Sequence, residues 1–98
     1  MANMKSLDDV KQVLSQSKPR LRQYQVTKLG IFGSYARGEQ TIESLDILID
    51  YDQAPTLFQL VELRDYLSEQ VGFKVDLVTK NGLKPRIRAQ VLSEVVYV

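Results

Sequence analysis

Three places in the chain hold residue types that could act together on a phosphate ester. Gly33-Ser34 directly follows an apolar, β-rich run. A glycine there lets backbone approach a ligand closely, and free amides at a helix start favour an anion. Ser34 adds a hydroxyl donor. Asp46 opens the apolar run Ile47-Leu48-Ile49, where a bare carboxylate is costly to bury without a partner. A hard cation such as Mg²⁺, held by carboxylate and phosphate oxygens, would be such a partner. Asp76 sits between Val75 and Leu77 in a third apolar run, where propensity disfavours aspartate. It is either a solvent-facing acid beside Lys74, or a metal ligand or general base opposite Asp46. Each feature alone also fits a plain role: a turn glycine, a strand-end acid in water, a polar residue on an open sheet. Together they make the minimum equipment for metal-assisted transfer at a phosphorus atom.

The composition removes the main competitors. The 98 residues contain no Cys and no His. That excludes disulfides, thiol nucleophiles, Ser-His-Asp triads and nearly all zinc sites. Thirteen Lys plus Arg against twelve Asp plus Glu leave a net charge of +1, so no direct nucleic-acid binding driven by bulk charge is expected. Hydrophobic residues at 44% and charged residues at 26% are ordinary globular proportions. No run reaches the ~18 apolar residues of a membrane span. Met1 to Asp9 lacks the basic-then-apolar pattern of a signal peptide. The expectation is a cytoplasmic protein with no membrane contact, residues 1–98 forming one domain.

The elements that must position these residues follow from periodicity. Ser6 and Asp9 form a capping-box pattern, and Leu7, Val10 and Leu14 predict a helix over 6–17. Pro19 opens a second short helix ending near Tyr24. Val26–Phe32 reads as a strand, 33–44 as a loop with one helical turn at its start, and Asp46–Tyr51 as a second strand. Pro55 and Thr56 open a helix with Leu60, Leu63, Leu67 and Val71 as its buried stripe, stopped by Gly72. Phe73–Thr79 alternates, with Phe73, Val75 and Leu77 on one face and Lys74, Asp76 and Val78 on the other. Asn81-Gly82 is a turn. Pro85 begins a last helix to about Ser93 with Ile87, Val91 and Leu92 inward, and 95–98 adds an edge strand. The fold class is α+β, a small mixed sheet flanked by helices. Basic residues cluster at Lys18, Arg20 and Arg22, and again at Lys80, Lys84, Arg86 and Arg88. Both are expected as solvated faces, the second also able to meet polyphosphate or an acidic partner.

The stretch Phe32-Gly33-Ser34-Tyr35-Ala36-Arg37-Gly38-Glu39, followed by Glu43-Ser44 and Asp46-Ile47-Leu48-Ile49-Asp50, closely resembles the minimal nucleotidyltransferases of the DNA polymerase β superfamily. Val75-Asp76-Leu77-Val78 resembles that family's later acidic strand, and the likeness runs to Val95-Val96-Tyr97-Val98. The resemblance implies a nucleotidyltransferase fold, with Gly33 and Ser34 holding a nucleoside triphosphate. It makes Asp46 a ligand of Mg²⁺, and Asp76 both the completion of the metal site and the activator of the attacking hydroxyl. Arg37 and Glu39 belong to the same signature, as nucleotide-binding residues or as a local ion pair fixing the loop. Such proteins act as antitoxins of HEPN-domain ribonuclease toxins. The resemblance thus implies transfer of AMP from ATP to a tyrosine of such a partner within a hetero-oligomer.

One departure bears on catalysis. The family pattern runs Gly-Ser, ten residues, then Asp-x-Asp. Here Tyr35 to Ser44 fill the ten, and Leu45-Asp46 follow at once, so the first acid is missing. Asp50 is about 13 Å further along the strand, too far to replace it. Either Glu43 reaches in, with Ser44 offering only a neutral oxygen, or the chain is an impaired variant that neutralises its partner by contact. A lost residue also makes the side chains before Asp46 exchange faces.

Overall fold

The computed structural model describes residues 6–37 and 44–98. These form helices α1 (Leu7–Gln16) and α2 (Lys18–Arg22), strand β1 (Val26–Phe32) and the single turn α3 (Ser34–Arg37). Strand β2 (Leu45–Tyr51), helix α4 (Leu57–Val71), strand β3 (Val75–Thr79), helix α5 (Pro85–Glu94) and strand β4 (Val96–Tyr97) follow. The sheet order is β3-β2-β1-β4. β1 is antiparallel to both β2 and β4, and β2 is parallel to β3. That one parallel pair needs a crossover, and α4 supplies it. The expected α+β class, a mixed sheet flanked by helices, is the observed one.

Local chemistry sets the boundaries. Ser6 accepts from the Asp9 amide at 3.1 Å, and the Asp9 carboxylate accepts from the Ser6 amide at 3.3 Å. Thr56 and Gln59 repeat this capping box at the start of α4. Gly72 ends α4 in the left-handed conformation at φ 86°, where a side chain is strained.

The sheet has two unequal faces. Leu29, Ile31, Leu45, Ile47, Ile49 and Val75 pack with Val10 and Leu14 of α1, Leu21 of α2 and Leu63, Leu67 and Val71 of α4. The opposite face carries a smaller cluster of Leu48, Leu83 and Val91, edged by Phe32, Val78 and Leu92. β2 is thus apolar on both faces at its centre, yet bears Asp46 and Asp50 beside Leu48 on the smaller one. Asp50 meets Lys80 at 3.9 Å. Asp46, at the other end, opens onto a cleft.

Two expectations need correction. Ile87 is not inward: it is 40% exposed. Leu83, just before α5, fills the space against Leu48 and Val91 instead. Asp76 is the second residue of β3 rather than its midpoint, because Phe73 and Lys74 precede the ladder.

Candidate active site

The parallel register of β2 and β3 sets Asp46 directly beside Asp76. Adjacent strands lie about 4.8 Å apart, and the even–odd alternation sends both side chains to the α5 face. Across the antiparallel pair, Phe32 stands opposite Asp46, so the turn leaving β1 starts next to the acid. Gly33 makes that turn at φ 74°. The place its Cβ would occupy is taken by Oδ2 and Cγ of Asp46. Gly33 is therefore required twice, by its backbone conformation and by the carboxylate seated against it.

The next residue, Ser34, opens α3. That turn is anchored by Tyr35, which is 5% exposed within the main core and stacks on Phe73 with ring centroids 5.6 Å apart. Burial, and secondarily the charge of Asp9, raise the Tyr35 hydroxyl above its ordinary pKa. Nothing in its type or spacing singled out Tyr35. Its signal is the aromatic residue two positions after the glycine, paired with the aromatic that precedes β3. Arg37 closes α3, and Glu39 and Glu43 lie outside the described residues.

Asp46 and Asp76 line one cleft of about 660 Å³ with Phe32, Val78, Leu83, Arg64, Lys84, Arg86 and Ile87. The structure divides the second basic cluster. Lys80 pairs with Asp50, and the Arg88 guanidinium donates to the Lys80 carbonyl at 2.9 Å. Lys84 and Arg86, by contrast, face the cleft, joined by Arg64 from α4. In the first cluster, Arg20 lies 4.8 Å over the Tyr66 ring. Lys18 and Arg22 line a separate cavity of about 400 Å³ that has no carboxylate side chain in its wall.

The donor set suits a hard dication. Two carboxylates from paired positions on neighbouring strands line one cleft, and Ser44 donates from Oγ to Oδ2 of Asp76 at 3.0 Å. An all-oxygen set is what Mg²⁺ takes, usually one or two carboxylates completed by phosphate and water. Among the described residues no group of three or more acids gathers at one point, and no helix is long and apolar enough to cross a membrane.

The nucleotidyltransferase domain family matches residues 10–98. A protein adenylyltransferase, MntA of Thermococcus cleftensis, is 43% identical over 97% of this chain and 98% of its own length. A solved structure assigned to the minimal nucleotidyltransferases superposes with a TM-score of 0.75 at 32% identity, covering 98% of each chain. A chain from the complex of tri-AMPylated HEPN toxin with MNT antitoxin of Shewanella oneidensis shares the fold at a TM-score of 0.68. It is 19% identical, covering 90% of this chain and 67% of that one. By its sequence and by its fold, the chain belongs to the nucleotidyltransferase domain family, a family of group-transferring enzymes.

Proposed function

We propose that this protein transfers AMP from ATP to a tyrosine hydroxyl of a HEPN-domain ribonuclease toxin, and so acts as that toxin's antitoxin in a cytoplasmic hetero-oligomer. The observation that carries the reading is the pairing of Asp46 with Asp76 across β2 and β3, against the Gly33 turn. The 43% identity to a protein adenylyltransferase supports it.

In this reading Asp46 and Asp76 hold Mg²⁺, which when bound neutralises the triphosphate and stabilises departing pyrophosphate. Gly33 and Ser34, at the turn into α3, hold the phosphates, with Arg37 and Glu39 contributing to the nucleotide site. The acceptor oxygen forms a bond to the α-phosphorus while the bond from that phosphorus to the bridging oxygen breaks. Asp76 takes the hydroxyl proton, as a base fixed by position. The described residues of the cleft enclose no second substrate, so in this reading the acceptor arrives on another macromolecule. Lys84 and Arg86 on the rim are suited to the polyphosphate or to acids on that partner.

A second reading is favoured by one observation: a hydroxyl, Ser44, stands beside Asp76. With two carboxylates in place of three among the described residues, the chain would silence the toxin by covering its surface. Incubation with α-labelled ATP, Mg²⁺ and the HEPN protein, followed by peptide mapping, separates the two. Label on a tyrosine of the partner is the expected result. Silencing of the ribonuclease with ATP absent and no label transferred would establish the contact mechanism instead.

A further inference from the structure

Asp46 and Asp76 have a third neighbour on their face of the sheet. Leu45 is fully buried in the main core on the opposite face, strand partner to Val75. Alternation therefore turns positions 44 and 46 to the same side. The 3.0 Å hydrogen bond from Ser44 Oγ to Asp76 Oδ2 confirms where Ser44 points. A hydroxyl thus stands two residues before Asp46, just ahead of β2 and hydrogen-bonded to Asp76.

Charge then decides what the site can hold. Two cations 3.5–4 Å apart need acids that bridge and flank them. Among the described residues two carboxylates offset one dication, and a serine hydroxyl adds an oxygen without charge. We infer that Ser44 is a positioning residue for Asp76, that the site takes a single divalent cation, and that position 44 is where one carboxylate would convert it to a two-cation site. This rests on the proposed role of Asp46 and Asp76 as cation ligands. Chain length is not the obstacle. Ser44→Asp puts a carboxylate at the same strand position as inserting Asp between Ser44 and Leu45.

The test is a Mn²⁺ titration of the full chain, with bound and free ion counted by electron paramagnetic resonance. Wild type is expected to bind one Mn²⁺. Ser44→Ala keeps one but binds it roughly tenfold more weakly, as loss of a group orienting a ligand does. Ser44→Asp and the insertion chain each bind two, with the spin coupling of neighbouring ions. Without metal, Ser44→Asp melts below wild type because three acids repel. Mn²⁺ then raises its melting temperature more than it raises that of wild type. If Ser44→Asp fails to fold, the insertion chain carries the count. One ion in either folded variant, two in wild type, or unweakened binding in Ser44→Ala overturns the inference and leaves the proposed function standing. No Mn²⁺ bound by wild type overturns both.

Discussion

Gly33 and Asp46 depend on each other: the carboxylate sits where any side chain at position 33 would have to go. Gly33→Ala is expected to cost about 1–2 kcal/mol for the left-handed backbone alone, a drop of roughly 4–16 °C in melting temperature. It should also weaken Mg²⁺-ATP binding by displacing Asp46. A variant with wild-type melting and wild-type nucleotide binding would refute the mutual fit. Asp76→Asn keeps the shape and the Ser44 hydrogen bond while removing the charge and the proton acceptor. Transfer should fall at least 100-fold, about 2.7 kcal/mol of barrier, with melting unchanged. Retained activity would make Asp76 structural.

The elements explain why these residues meet. α3 is a single turn, too short to persist alone, and Tyr35 ties it to the core through Phe73. Because burial raises the Tyr35 pKa, the unfolded chain releases this proton at lower pH than the native one. Stability is thus unaffected below the ordinary tyrosine value of about 10 and falls as pH rises through it. Melting temperatures from pH 9 to 11 should decline more steeply for wild type than for Tyr35→Phe. Parallel slopes would show that Tyr35 ionises freely in the folded protein. The strands and caps could be read from β-rich apolar runs, the alternation of Phe73–Thr79, Ser6-x-x-Asp9 and Gly72, because those signals are local. The pairing of Asp46 with Asp76 could only be guessed at from sequence, since register across β2 and β3 depends on the α4 crossover. Ile87 misled because helical spacing does not reveal that Leu83, outside the helix, fills the apolar space. The sequence shows only that Ser44 offers a neutral oxygen, and its hydrogen bond to Asp76 emerges only from the folded structure.

For the molecule as a whole, the sheet is closed on one face by α1, α2 and α4 and only part-covered on the other by α5. The acids lie in a cleft that the described residues leave open, where the proposed partner would dock. Binding of a partner protein spreads over a surface near 800 Å² per side, far larger than one side chain. Asp76→Asn should therefore bind the HEPN protein within about twofold of wild type by calorimetry while failing to modify it. A large loss of affinity would put the acid inside the partner interface. The centre itself is tested most directly by a crystal structure with Mn²⁺ and a non-hydrolysable ATP analogue. An anomalous peak bound by oxygens of both Asp46 and Asp76, with the analogue's phosphates beside Gly33, is the predicted result. A peak elsewhere, or an analogue bound away from this acid pair, would contradict the assignment of the cleft as the site of transfer.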